Sequence, residues 1–159
     1  MTIRAATPRD AAVIAGIWNG IIHDPVITFT TKEKTTHSIL QLLETQPVLV
    51  ADIGNQVSGF ATYGAFRAGP GYRHTGEVTI HLAPNARGQG IGRKLMQSLL
   101  DQAGQDGIHA MVAGVSAQNP AAIRFHQALG FTEVARLPEV GRKAGRWLDL
   151  ILLQKLLNT

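Results

Sequence analysis

Ile14, Ile17, Trp18 and Ile21 recur at i, i+3, i+4 and i+7, which predicts a helix with one buried face. Its start is marked at Thr7-Pro8-Arg9-Asp10, where a capping hydroxyl, a proline for the first helical position and an early acid coincide; Asp24-Pro25 stops it. Thr2 to Thr7 ahead of it reads as a short strand. A second helix is expected from about Lys34 to Glu44, with Ile39, Leu42 and Leu43 turned inward. Pro47 to Asp52 and Val57 to Ala65 are apolar runs separated by Gly54-Asn55, a hairpin signature. A Gly- and Pro-rich loop, Arg67 to Gly76, leads into a strand at Glu77 to Leu82. There Val78, Ile80 and Leu82 alternate with Glu77, Thr79 and His81 on the other face. Ile91, Leu95, Leu99 and Ala103 then mark a helix that leaves a glycine-rich turn and ends at Gly107. His109 to Ala117 is apolar on both parities, as a strand covered on both faces should be. Pro120 opens a helix carrying Ala122, Phe125 and Leu129 and closed by Gly130, and Trp147 to Leu156 reads as a last strand. Helices interleave with strands and no repeat or linker intervenes, so one α/β domain over residues 1 to 159 is expected.

Composition narrows this picture. A chain of 159 residues can bury most of its apolar surface in one core. No apolar run approaches the roughly 18 residues of a membrane span, and the N-terminus has no secretory h-region, so a cytoplasmic protein without a membrane partner is expected. The absence of cysteine excludes disulfides, thiolate metal sites and a cysteine nucleophile; no metal is expected. Fifteen Lys plus Arg against eleven Asp plus Glu give a net charge of +4. The basic residues gather near Arg87 to Lys94 and Arg136 to Arg146, with a looser pair at Arg67 and Arg73. The densest group abuts glycines and is not interleaved with aromatics, which favours a small anionic ligand over nucleic acid.

That group is Arg87-Gly88-Gln89-Gly90-Ile91-Gly92-Arg93, set between a strand and a helix, where free N–H groups and the helix dipole favour an anion. A Walker A loop would need Lys and then Ser or Thr after its last glycine, but Arg93 follows Gly92. A dinucleotide fingerprint starting at Gly88 would need a glycine at position 93. A plain tight turn stays open as the alternative.

The pattern Arg87-x-x-Gly90-x-Gly92 resembles the pantetheine-pyrophosphate loop of the GCN5-related N-acetyltransferases. A second hallmark follows in the family's order: Asn119, then a helix ending in Gly130-Phe131. Within the family the chain resembles the branch of phosphinothricin and methionine sulfone or sulfoximine acetyltransferases. Phe66-Arg67, Gly71-Tyr72-Arg73-His74-Thr75, Glu77, Phe125 to Phe131 and Gly141-Arg142-Lys143-Ala144-Gly145-Arg146-Trp147-Leu148-Asp149 carry that likeness. The resemblance implies a mixed, mostly antiparallel sheet of about seven strands, helices on both faces, and a splay between the fourth and fifth strands that holds the cofactor. It implies acetyl-coenzyme A as co-substrate, a small-molecule primary amine as acceptor, and a homodimer.

Residue by residue, the resemblance makes Glu77 the base that deprotonates the amine, directly or through water. His126 stands where many relatives have tyrosine, and would relay a proton or protonate the thiolate. Leu82 N–H would face the thioester oxygen. Ile80, His81 and Leu82 would line the pantetheine arm, Arg87, Gly88, Gln89, Gly90, Ile91, Gly92 and Arg93 the diphosphate, with Asn119 beside the arm. Arg67 and Arg73 are candidates for a substrate carboxylate, and Ala68, Gly69, Tyr72, Val78 and Thr79 would complete the acceptor pocket, walled by Phe29 and Trp147. The rival acceptors are a peptide N-terminus or a lysine. More remote is a non-catalytic coenzyme A or nucleic-acid module.

Overall fold

Seven strands of this chain form one sheet, and apolar residues are buried on both of its faces. The computed structural model describes residues 1–157. In chain order they form β1 (Thr2–Ala5), α1 (Ala11–Ile22), α2 (Thr36–Thr45), β2 (Val48–Ile53), β3 (Gln56–Ala65), β4 (Thr75–Leu82), α3 (Ile91–Gln105), β5 (Ala110–Ser116), α4 (Pro120–Ala128), β6 (Thr132–Lys143) and β7 (Arg146–Leu156). The sheet runs β1-β2-β3-β4-β5-β7-β6, and β4 with β5 is its single parallel pair.

The pleat sends neighbouring residues to different cores. Val50 and Phe60 pack with Ile14 of α1 and Ile39 of α2, whereas Ala51 and Ala61 pack with Leu95, Met96 and Leu99 of α3. Those three α3 side chains are fully buried, against Val78, Met111, Ala113 and Leu153. The helical stripe at Ile91, Leu95, Leu99 and Ala103 therefore faces inward, as its spacing requires. No helix among the described residues is long and apolar enough to cross a membrane.

The pattern located six strands; β6 is the seventh. Its apolar positions are sparse, Pro138 interrupts it, and it lies at the sheet edge, where a missing N–H is tolerated. Register shifts between Glu133 and Ala135 and between Leu137 and Gly141, with Glu139 at φ 57°, break the two-residue period that would have revealed it. The first helix also begins later than expected: Pro8–Asp10 is a 3₁₀ turn and the α-helix starts at Ala11.

Asp10 fastens that turn to the sheet. Its carboxylate accepts from Thr7 N–H at 2.8 Å and from both terminal nitrogens of Arg4, at 2.8 and 3.1 Å. Arg4 Nε in turn donates to Asp52 on β2 at 3.1 Å. The Arg4 guanidinium beside it holds the Asp10 carboxyl down at about 2, from an ordinary 3.8. A depressed carboxyl adds stability that is complete above the unfolded value and is lost as pH falls through the folded one. Asp10→Asn should therefore lower the thermal midpoint at neutral pH and flatten the loss of stability between about pH 4 and 2, as followed by circular dichroism melts.

Candidate active site

β4 and β5 pair only from Thr75 to Val78 and from Ala110 to Ala113, and then part. The register says what they leave exposed. Ala83 N–H donates to Ser58 carbonyl at 2.8 Å, which fixes the alternation of the β3–β4 ladder. His81 and Thr79 therefore exchange bonds with β3, and the main-chain groups of Ile80 and Leu82 point the other way, into the gap. On β5 the bonds Leu157 N–H to His109 carbonyl, 2.7 Å, and Ala117 N–H to Asp149 carbonyl, 3.0 Å, set the same alternation with β7. Gly114 and Ser116 accordingly face β4 across the opening. Two strand edges thus confront each other, each short of a pairing partner.

A cavity of about 470 Å³ fills this wedge. Val78 to Leu82 form one wall and Ala113 to Ser116 the other. Arg87, Gly92, Asn119, Ala122, Phe125 and His126 close it on the α3 and α4 side, and Trp18, Ile21, Ile27, Thr28 and Phe29 on the α1 side. At its mouth the chain turns through Gly88 and Gly90, at φ 75° and 77°, a left-handed backbone that favours glycine, and enters α3 at Ile91. Among the described residues, no N–H from Gly88 to Arg93 donates to a protein acceptor. Gly92 is small for a different reason: a Cβ there would come 3.1 Å from the Phe125 ring, so α3 and α4 meet closely over the wedge.

Besides Arg87, the titratable side chains His81 and His126 line the cavity, and Glu77 lies at its floor without lining it. Glu77 is exposed as a residue, yet its Oε2 would lie only 3.4 Å from a Cβ at Gly114, across the base of the splay. The adjoining strands strip water from the carboxyl and push its pKa above the ordinary value. His126 is buried; its Nδ1 lies 2.8 Å from the Ala122 carbonyl, which can only accept, so Nδ1 carries the proton and Nε2 holds a lone pair. Burial lowers its pKa, and the ring is neutral at pH 7. His81 packs edge-on to Phe60 and beside Trp18, and burial, helped by the charge of Arg87, lowers it to about 4.

Of the residues singled out in the sequence, Val78, Thr79, Ile80, His81, Leu82, Arg87, Gly92, Asn119 and His126 line the cavity. Asn119 also has a structural duty, its Oδ1 accepting from Ala122 N–H at 3.2 Å as the cap of α4. Gly88, Gln89 and Gly90 form the turn beside the cavity, Ile91 is core, and Arg93 points to a separate groove between α3 and β7. Arg67, Ala68, Gly69, Tyr72 and Arg73 are not brought to the wall. They sit on the exposed loop before β4, where Arg67 covers the Phe66 ring, Tyr72 packs against it, and Arg73 donates to His74. Phe29 is a wall as expected; Trp147 is not, being 60% exposed beneath the Arg142 guanidinium. Trp18, Ile21, Ile27, Thr28, Gly114, Ser116 and Leu150 are additional lining residues. The small residues at alternate positions of β5 were the one available signal for that wall. Among the described residues no cluster of three or more His, Asp or Glu forms a metal site.

Comparison with known proteins agrees with this geometry. Residues 17–131 match the model of the acetyltransferase (GNAT) family. The L-methionine sulfoximine/L-methionine sulfone acetyltransferase of Salmonella typhimurium is 42% identical, over 97% of this chain and 93% of that one. Among solved structures, a putative acetyltransferase from Salmonella typhimurium with acetyl-CoA superposes with a TM-score of 0.94 at 40% identity, covering 100% of this chain and 95% of that one. A ribosomal-protein-alanine N-acetyltransferase from Brucella melitensis gives 0.95 at 39% identity, covering 99% and 100%. With the splayed strands and glycine turn in place, these matches identify the chain as a member of the GNAT family of acetyltransferases and as an N-acetyltransferase enzyme.

Proposed function

We propose that this enzyme transfers the acetyl group of acetyl-coenzyme A to the primary amine of small amino-acid-like substrates, L-methionine sulfone, L-methionine sulfoximine and L-phosphinothricin among them. The observation that carries this reading is the wedge itself. It has a row of unpaired N–H groups at Gly88 to Arg93 for a diphosphate, and unpaired edge groups at Ile80 and Leu82 for an extended amide arm. A bound thioester would supply an acyl carbon open to attack by a neutral amine.

The residues of the chain would do the rest. Arg87, beside the glycine turn, adds charge-assisted donors for a phosphate. Leu82 N–H, turned away from β3, stands ready for negative charge developing on a carbonyl oxygen. An alkyl ammonium must lose a proton before it can attack, and a carboxyl with a raised pKa is a better base for it than an ordinary one. Glu77 has that environment. His126 suits a proton-accepting relay: its Nε2 already bears a lone pair, and burial opposes the cation it would need to be an acid. Trp18, Ile21, Ile27, Phe29 and Leu150 make the acceptor end largely apolar, which favours a short side chain. Arg67 and Arg73, on the loop that feeds β4, would meet a carboxylate extending beyond Glu77.

A second reading, acetylation of a peptide N-terminus, has the Brucella likeness in its favour. The test is thiol release from acetyl-coenzyme A with the three small amines and with an alanine-initiated peptide. Fastest release with the small amines is expected; release with the peptide alone would favour the second reading, and none with any acceptor would remove both.

Glu77→Gln should lower kcat by about a hundredfold, at the low end for a general base, with a smaller change in KM. It should also abolish the acid limb of the kcat/KM profile, which in the parent protein falls above the ordinary carboxylate range because the Glu77 pKa is raised. A homodimer is part of the proposal. It is supported by the outward-facing apolar side chains Val134, Val140 and Trp147 on the β6–β7 hairpin, and light scattering should return twice the 17.1 kDa chain mass.

A further inference from the structure

Residues 23–35 between α1 and α2 give Ile27, Thr28 and Phe29 to the cavity wall but contain no helix or strand. A segment without its own ladder keeps a shape only where other groups hold it. Asp24 Oδ1 accepts from Val26 and Ile27 N–H at 2.8 and 2.9 Å, turning the chain just after α1. Asn19 of α1 grips the far end, accepting from Lys34 N–H at 2.7 Å and donating to Lys34 carbonyl at 2.9 Å.

The third hold comes from across the fold. Lys143, near the end of β6, is 7% exposed, and its Nζ donates to Ile22 carbonyl at 2.6 Å and to Thr28 Oγ1 at 3.0 Å. Burial pulls its pKa down, partly offset by the field of Asp24. Ile22 ends α1, where carbonyls lack helical partners and a cation is favoured. Two residues earlier on the same strand, Gly141 lies under the Phe29 ring, whose Cδ2 would be 2.6 Å from a Cβ there. One edge strand therefore both anchors the segment and seats its aromatic.

We propose that Lys143 is a positioning residue: from β6 it latches Ile22 and Thr28, so that Ile27 and Phe29 stand as a preformed wall of the acceptor pocket and set which amines fit. The role rests on reading this end of the cavity as the acceptor site. The ammonium suits the task because its three donors diverge, reaching a helix-end carbonyl and a hydroxyl six residues on.

The test uses the whole chain with Lys143→Met, which keeps the stem and removes the donors, and Thr28→Val, which removes only the hydroxyl. Hydrogen exchange over residues 23–35 should quicken by about tenfold or more in both while other segments keep their rates. In Lys143→Met the KM for methionine sulfone should rise by about three- to tenfold, with kcat and the acetyl-coenzyme A Kd held within about twofold. Unchanged exchange and unchanged acceptor KM in Lys143→Met would overturn the proposal, as would a parallel loss of acetyl-coenzyme A binding, which signals general destabilisation. Should Lys143→Met fail to fold, hydrogen exchange over residues 23–35 in Thr28→Val decides. If the parent protein turns over no amine, the proposed function fails by itself, and exchange in residues 23–35 still decides whether the latch exists.

Discussion

A β-sheet normally satisfies every main-chain group of an inner strand, and this molecule breaks that rule at one place. β4 and β5 separate after Val78 and Ala113 although both lie mid-sheet. Buried N–H and C=O groups need partners, so a strand edge opened inside a fold either fills with water or awaits an extended ligand. The rest of the molecule is arranged around that gap. α3 starts at its mouth, α4 roofs it, and the α1–α2 segment closes its far end.

Close approach between these pieces is set by missing side chains. At Gly92 the Phe125 ring takes the place of a Cβ, at Gly114 the Glu77 carboxylate lies nearby, and at Gly141 the Phe29 ring rests on the backbone. None of these three has the left-handed φ that marks Gly88 and Gly90. Glycine therefore serves two ends here: a backbone conformation in the turn before α3, and contact distance along the walls.

The walls also tune charge. Burial keeps His81 and His126 neutral and makes the Glu77 carboxyl a stronger base. All three shifts have desolvation as their leading cause, so they follow from packing and would fade if the wedge opened to water. Lys143 experiences the same penalty, partly offset by the field of Asp24, while its ammonium donates to Ile22 and Thr28.

Six of the strands, all four helices and the glycine-rich turn are legible in the sequence because each is written in local spacing, and the motifs at Arg87 to Gly92 and at Asn119 to Phe131 carry the family resemblance. An i, i+3, i+4 stripe, a two-residue alternation and a run of glycines can be read without knowing what lies opposite. Tertiary structure alone decided the rest. β6 emerged only through pairing with β7, since its bulges erase the period. The loop from Arg67 to Arg73, which looked like a pocket wall, stands off from the cavity, while Gly114, Ser116, Thr28 and Lys143 are drawn to it or to its support. Such roles depend on which residues distant in sequence become neighbours. That is fixed by strand order and by where two strands stop pairing, and neither quantity has a signature within a short stretch of chain.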